Sequence, residues 1–256
     1  MGRGTSKAGG GGGGALPKVT NAVTPPTPQQ IAQGNVLPKG GIPFSSFENM
    51  ADDQKADVIS QALSTGVPMF LDDSGIQRFA YFTGMSDKPT VVPDVQLDKI
   101  QGTTLYRTVY DGYNKNTDIG YTGNDIVKQI RNGDFTMYSD SGGSVHGKAI
   151  YFADNYIDSI NYGWGQKNPI VTRAKITSNK VISENKLRSD YNSAVNRGDK
   201  LAVACSKADG ASARNLYALA KGYDVVQDNS TGYNMILNRR ALTMSDTVKP
   251  AKGNSW

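Results

Sequence analysis

The sequence predicts an α+β domain, because short alternating strands and amphipathic helices follow one another along the chain. The segment 103–110 alternates and is rich in β-branched and aromatic residues, as a strand is. The segment 122–131 begins with a capping threonine and carries three aliphatic residues on one face, which predicts a helix packed across a sheet. Several such short elements in succession favour a sheet with helices at its edges.

The stretch 147–162 combines both patterns and organises the rest of the prediction. Residues 147–154 alternate and end in Ile-Tyr-Phe, like a half-buried strand, and the apolar residues that follow have helical spacing behind an Asp-Asn start. The segment therefore predicts a strand, a sharp turn and a short helix. Tyr151 on the strand and Ser159 and Tyr162 on the helix can then converge on one small concave site, which suits a flat aromatic amide.

Four parts of the chain differ in composition. The predicted units are a disordered Gly/Pro-rich arm (1–45), a helical subdomain (46–93), a catalytic-type α+β domain (94–245) and a frayed tail (246–256). Further elements are predicted as helices at 46–63, 75–81, 184–194 and 211–221, and as strands at 169–176, 223–226 and 233–238.

The basic balance of the chain lies mostly in its first 45 residues. The whole chain has a net charge of +5, and this arm holds four basic residues and no acidic one, which leaves +1 for the rest. Two interpretations stand: a solvated flexible arm, or a weak anchor for a polyanion such as nucleic acid. Four charges spread over 45 residues do not form a binding patch.

Several classes of protein do not fit this sequence. No apolar run approaches the roughly 20 residues that span a bilayer, and glycines stand where a secretory signal has its apolar core. The one cysteine, Cys205, lies in an apolar run and allows neither a disulfide within the chain nor a cysteine metal cluster. We therefore expect a soluble, cytoplasmic protein without a metal or a membrane partner. A nucleophilic role for Cys205 is the weaker alternative to a core position.

The run Gly-Lys-Ala-Ile-Tyr-Phe-Ala-Asp at 147–154, with Ser159 and Tyr162 behind it, resembles the nicotinamide-pocket signature of the poly(ADP-ribose) polymerase-like branch of the ADP-ribosyltransferase superfamily. The segment 222–242 also resembles the C-terminal hairpin of bacterial and phage-associated members. The resemblance implies a split antiparallel β-sandwich around an NAD cleft. It also implies that Tyr151 and Tyr162 sandwich the nicotinamide ring and that the Ser159 hydroxyl binds its carboxamide.

Arg107 occupies the position that the resemblance assigns to a His or Arg binding the NAD ribose or phosphates. The Thr108 backbone would then hold the carboxamide, and His146 would contact a ligand phosphate. The family usually pairs the Tyr-bearing pocket with His, so this chain combines two patterns. Two simpler interpretations remain: an Arg107 head in water at the strand's end, and an exposed loop His146.

The family usually places a Glu at the start of the last-hairpin strand, where its carboxylate binds the ribose hydroxyl and stabilises the positive charge of bond cleavage. Here that place is Gly232 or Tyr233, and no Glu follows Glu184. Asp228 is the candidate substitute if its loop folds over the ribose. The alternative is an ordinary solvated turn Asp.

The resemblance implies an enzyme that cleaves the nicotinamide–ribose bond of NAD and transfers ADP-ribose to a macromolecular acceptor, with NAD as substrate and no metal. A protein acceptor is preferred over a nucleic acid because the body charge is modest. Two alternatives are an NAD glycohydrolase and a transferase-like structural protein without activity, for example one associated with a virion. For the location of the protein, the alternatives to the cytoplasm are delivery into a host cell and carriage in a virion.

Overall fold

The computed structural model describes residues 42–64, 69–71, 77–79, 82–83, 88–114, 119–132, 149–208 and 210–252. The strands of these residues are β1 Ile42–Pro43, β2 Met69–Leu71, β3 Gln77–Phe79, β4 Phe82–Thr83, β5 Thr90–Val92, β6 Thr104–Asn114, β7 Ile119–Tyr121, β8 Ile150–Ala153, β9 Lys167–Ile176, β10 Val181–Ser183, β11 Val225–Asp228, β12 Tyr233–Ile236 and β13 Leu242–Pro250. The helices are α1 Phe44–Glu48, α2 Asp52–Ser64, α3 Asp94–Leu97, α4 Gly123–Asn132, α5 Tyr156–Asn161, α6 Glu184–Asn196, α7 Lys200–Cys205 and α8 Gly210–Ala220, with a 3₁₀ turn at Arg239–Ala241.

The central sheet has the order β10-β11-β12-β8-β6-β9-β13-β5, with β7 paired to β6. The prediction of mixed α and β structure is confirmed. The sheet is not wholly antiparallel, however, because β10 runs parallel to β11 and β5 parallel to β13. It is also continuous, although β6 and β8 share one registered pair, Tyr106 with Ala153. The two halves of the sheet therefore meet at a narrow junction.

The predicted helix at 122–131 is confirmed as α4, and its sequence explains both its start and its packing. The Asp125 amide donates to Thr122 Oγ1, and the Thr122 amide donates to the Asp125 carboxylate, so each end of this capping box satisfies the other. Ile126, Val127 and Ile130 are buried in the same apolar core as the β6 residues Leu105 and Val109. The helix thus anchors the strand that carries Arg107.

The segment predicted as a helical subdomain is only partly helical. The predicted helix at 46–63 is present as two helices, α1 and α2, whereas the predicted helix at 75–81 is wrong for 77–79. Residues 77–79 form β3, which pairs antiparallel with β2. Pairing with a neighbouring segment overrides the local preference of so short a stretch.

Three predicted boundaries also differ from the structure. Ile42 and Phe44 are buried in the core, so the folded part includes the end of the predicted arm, whose residues 1–41 lie outside the described residues. β5 precedes residue 94 but pairs with β13 in the central sheet. The predicted frayed tail from 246 is wrong as far as Pro250, because β13 pairs with β9 through Val248, Lys249 and Pro250.

Candidate functional site

Arg107 lies where the two halves of the sheet separate. Tyr106 and Ala153 are the paired residues of β6 and β8. Arg107 follows Tyr106 on β6, and Tyr151 lies two residues before Ala153 on β8. Arg107 Nη1 donates to the backbone carbonyl of Tyr151 at 2.9 Å. A guanidinium thus binds a carbonyl at the point where strand pairing ends, and the structure brings together these two predicted site residues.

Helix α5 places Ser159 directly over β6. The helix begins behind Asn155, whose side chain accepts a hydrogen bond from the Asp158 amide at 2.8 Å, so the Asn start predicted from sequence is confirmed. Ser159 is buried, and its Oγ lies 3.0 Å from Thr108 Oγ1. The two residues predicted to hold one carboxamide are therefore in contact, although through the Thr108 side chain and not its backbone.

The close approach of α5 to β6 depends on a glycine that the sequence analysis did not single out. A Cβ at Gly163 would lie 2.7 Å from Thr108 Cγ2 and 2.9 Å from Pro169 Cβ. Any other residue here would push the end of the helix away from the sheet. The signal in the sequence was a glycine directly behind Tyr162.

Tyr162 follows α5 and contacts the first residue of β12. Its ring centroid lies 5.7 Å from that of Tyr233, at an interplanar angle of 72° that makes an edge-to-face pair. Burial, a hydrogen bond with the Tyr162 side chain and the charge of Asp158 all raise the pKa of the Tyr233 phenol. Tyr162 is 58% exposed, so a ligand can reach its ring.

The register of β12 against β8 decides which of its residues lies beside Tyr151. Tyr233 pairs with Ala153, and Met235 pairs with Tyr151. Because directly opposed residues share a face and alternate residues of a strand return to it, Tyr233 lies on the same face as Tyr151. Of the two positions considered for the family's Glu, position 233 is the one on this face.

Gly232, the other position considered for the Glu, lies against the Asp154 carboxylate. Its backbone has a φ of +73°, and a Cβ built on it would lie 2.5 Å from Asp154 Oδ1. The Asp154 amide donates to the Gly232 carbonyl at 2.9 Å. Asp154 thus fills the space into which a side chain at position 232 would project.

Asp228 is buried within its own turn. Its carboxylate accepts hydrogen bonds from the amide of Ser230 at 2.9 Å and the hydroxyl of Ser230 at 2.5 Å, and from Thr231 Oγ1 at 2.7 Å. These contacts are those of a carboxylate that stabilises a tight turn. His146, the remaining predicted site residue, lies outside the described residues.

Two further features bear on the predicted partners. Within the described ranges, no group of three His, Cys, Asp or Glu residues is arranged to hold a metal ion. The helices among those residues also include none long and apolar enough to cross a membrane.

Comparisons of the chain with models of protein families, with curated proteins and with solved structures found no match. The function of the site must therefore be inferred from its own residues.

Proposed function

We propose that this protein is an NAD-dependent ADP-ribosyltransferase whose nicotinamide site lies between β8, α5 and the β6 residues Arg107 and Thr108. The observation that supports it best is the contact between Thr108 and Ser159. The resemblance gave both residues to one carboxamide, although they are far apart in sequence, and the fold brings their hydroxyls within hydrogen-bonding distance. The finer fold that we propose is a sheet whose two halves diverge beyond the single β6–β8 pair, so that NAD enters between them.

In this proposal each residue has a separate task. Tyr151 and Tyr162 stack on the two faces of the nicotinamide ring, and Ser159 and Thr108 bind its carboxamide. Arg107 binds the ribose-phosphate side. Its contact with the Tyr151 carbonyl supports this role, because it holds the guanidinium next to the ring-stacking residue. The binding energy then serves to orient the bond that breaks.

The reaction breaks the bond between the ribose carbon and the nicotinamide nitrogen, and nicotinamide leaves as a neutral molecule with the bonding electron pair. A nucleophilic oxygen or nitrogen of the acceptor forms the new bond to the ribose carbon and releases one proton. The products are nicotinamide, an ADP-ribosylated acceptor and H⁺. We propose a protein as acceptor, in the cytoplasm of the cell that makes the protein or of one that receives it.

A second candidate is a protein that binds NAD without turning it over. Tyr233 supports it, because it places an uncharged side chain on the face of Tyr151. Asp228 stays a candidate catalytic group in the transferase proposal. Its three hydrogen bonds within the turn favour a structural role.

The test is incubation of the purified full chain with NAD labelled in its adenylate part, alone and in a lysate. The wild type should transfer label to a macromolecule, and Arg107→Ala and Tyr151→Ala should lose this transfer. Arg188→Ala on α6 and Tyr113→Ala, six residues beyond Arg107 along β6, are matched controls, because both side chains are exposed. Both controls should keep the transfer.

Free ADP-ribose without labelled macromolecule would identify a glycohydrolase instead. Binding of NAD without any product would identify the second candidate. If NAD neither reacts nor raises the melting temperature, the proposed function is wrong.

A further inference from the structure

Gly163 directly follows Tyr162 at the end of α5, where this helix approaches β6 most closely. We infer that Gly163 is a positioning residue that sets the affinity of the site for NAD, because it lets Ser159 and Tyr162 lie close to β6. This role rests on the proposed function, and Gly163 exerts it only through those two side chains.

Two side chains fill the space beside the Gly163 Cα. A Cβ at this position would lie 2.7 Å from Thr108 Cγ2 and 2.9 Å from Pro169 Cβ, which is closer than real Cβ atoms approach their neighbours. Neither neighbour yields easily, because Thr108 is paired with Val171 of β9 and the Pro169 carbonyl accepts a hydrogen bond from the Ala251 amide at 2.9 Å. A side chain at position 163 would therefore displace the end of the helix.

Thr108 uses both branches of its side chain in this contact. Its methyl group faces Gly163, and its hydroxyl lies 3.0 Å from Ser159 Oγ. A β-branched side chain has few staggered χ1 positions, and contacts on both branches hold Thr108 in one of them. The missing Cβ on the helix thus makes room for a methyl group on the strand, and this methyl group directs the hydroxyl at Ser159.

The helix backbone transmits a shift of Gly163 to the two ligand-binding residues of α5. The Gly163 amide donates to the Ile160 carbonyl at 2.9 Å, and the Tyr162 amide donates to the Ser159 carbonyl at 3.3 Å. Tyr162 also keeps helical backbone angles, with φ −68° and ψ −25°. The last turn therefore moves as one piece, and lifting it from β6 separates Ser159 from Thr108 and displaces the Tyr162 ring.

The experiment compares the NAD affinity of the full chain with that of Gly163→Ala and Gly165→Ala, measured by calorimetry. Gly163 is not left-handed, so its alanine meets crowding without backbone strain, whereas Gly165 has a φ of +74° and nothing within 4 Å. We expect Gly163→Ala to raise the dissociation constant at least about fivefold, as for the loss of one hydrogen bond. Gly165→Ala should be strained but stay within about twofold of the wild-type affinity.

Thr108→Ser provides a background in which the crowding is relieved. It removes the methyl group beside position 163 and keeps the hydroxyl, so an alanine at 163 can move away from Pro169 into the vacated space. Adding Gly163→Ala to Thr108→Ser should therefore change the dissociation constant for NAD by less than about twofold. A substitution that acted only by weakening the helix would have the same effect in both backgrounds.

A second readout needs no ligand. In the Gly163→Ala background, the losses of unfolding free energy from Ser159→Ala and Thr108→Val should become additive, because the two hydroxyls no longer meet. Thr108→Val keeps the methyl group, so the end of the helix stays displaced. Urea denaturation measures both losses.

Equal NAD affinity of Gly163→Ala and the wild type, or an equal loss in Gly165→Ala, would overturn the inference while leaving NAD binding in place. A wild type that does not bind NAD overturns the proposed function itself, and the additivity measurement still decides whether Gly163 holds α5 against β6. If melting curves show that Gly163→Ala does not fold, the variant that also carries Thr108→Ser should fold and bind NAD. Its failure to do so would overturn the role of Gly163.

Discussion

Ser159 and Thr108 show how one hydrogen bond joins a helix to a strand. Both side chains are buried, and their hydroxyls lie 3.0 Å apart. A buried hydroxyl that loses its partner costs about 1–3 kcal/mol, whereas removing both partners together costs less. The contact therefore contributes to stability independently of any ligand.

A double-mutant cycle measures this contact. We expect Ser159→Ala and Thr108→Val each to lower the free energy of unfolding by about 1–2 kcal/mol, because each leaves one hydroxyl unsatisfied. The double variant should lose about 1 kcal/mol less than the sum of the two. Urea denaturation gives the values, and strictly additive losses would contradict the contact.

Gly232 should tolerate a side chain less well than another glycine with the same backbone. Gly198 has a φ of +71° with open space around its Cα, whereas Gly232 has a φ of +73° and faces Asp154. Gly198→Ala should lower the free energy of unfolding by about 1 kcal/mol through backbone strain alone. Gly232→Ala should cost about 2 kcal/mol or more, because the Asp154 side chain must also move.

The double variant Gly232→Ala, Asp154→Ala identifies the source of the extra cost. Removing the carboxylate should return the loss to that of Gly198→Ala, as measured by urea denaturation. If the extra cost persists, the steric contact is not its cause.

At the scale of elements, Arg240 joins the first helix to the last hairpin. Its guanidinium donates to Glu48 on α1 and to Asp224, which is buried just before β11. The Ser178 hydroxyl also donates to Asp224, at 3.0 Å. A buried carboxylate is stable only with such partners, so the network ties α1 to the β11–β12 hairpin.

Acid should weaken this network through Glu48. Burial raises the pKa of Glu48, but the hydrogen bond and charge of Arg240 outweigh burial and hold this pKa below its usual range. The pKa is thus lower in the folded than in the unfolded chain, so the stabilisation is present above the unfolded value and is lost as the pH falls through the folded one.

Glu48→Gln tests this dependence. The variant should be less stable than the wild type at pH 7, and the difference should shrink between about pH 5 and pH 3. Urea midpoints across this range give the result. Asp190→Asn is a suitable control, because Asp190 forms an exposed pair with Lys186 on α6 that should contribute little at any pH. A stability difference between Glu48→Gln and the wild type that stays constant with pH would contradict the lowered pKa of Glu48.

At the scale of the whole molecule, the N-terminal helices and the sheet share one core. Phe47 of α1 and Ile59 of α2 are buried in the same apolar cluster as Val226 of β11 and Met244 of β13. Lys55 of α2 also donates to the Ala220 carbonyl at the end of α8, at 2.8 Å. Segments that bury one another's apolar surface in this way unfold together.

We therefore expect one unfolding transition for the described part of the chain. The near-ultraviolet circular dichroism, to which the packed rings of Tyr191 and Tyr217 contribute, and the far-ultraviolet circular dichroism should change at the same urea concentration. Phe47→Ala should lower the free energy of unfolding given by both signals by the same amount, about 3–5 kcal/mol, because a fully buried ring is lost. A far-ultraviolet transition at a lower urea concentration than that of the other signal would show that the N-terminal helices unfold separately.

Elements set by local signals could be predicted from the sequence. The strand-turn-helix around β8 and α5 and the capped helix α4 are present where periodicity and capping residues placed them. Helix α8 likewise ends before Gly222, whose φ is +87°. These signals operate over a few residues and are complete in the sequence itself.

Elements that depend on distant partners were not predicted. Residues 77–79 were expected to be helical and form β3, and the end of β13 was expected to fray but pairs with β9. Both strands are short or polar, so their own residues carry little preference. Their conformation follows from a partner segment, whose backbone groups form hydrogen bonds with the N–H and C=O groups of these strands.

Some features of the candidate site likewise follow from the local sequence, and others depend on distant partners. The sequence by itself determined which residue types stand along β8 and α5 and that Tyr151, Ser159 and Tyr162 could converge. The tertiary structure decided that Thr108 meets Ser159, that Arg107 binds the Tyr151 carbonyl, and that the register of β12 puts Tyr233 on the face of Tyr151. Register decides this because a shift of one residue moves a side chain to the opposite face of a sheet, and only the paired strands fix it.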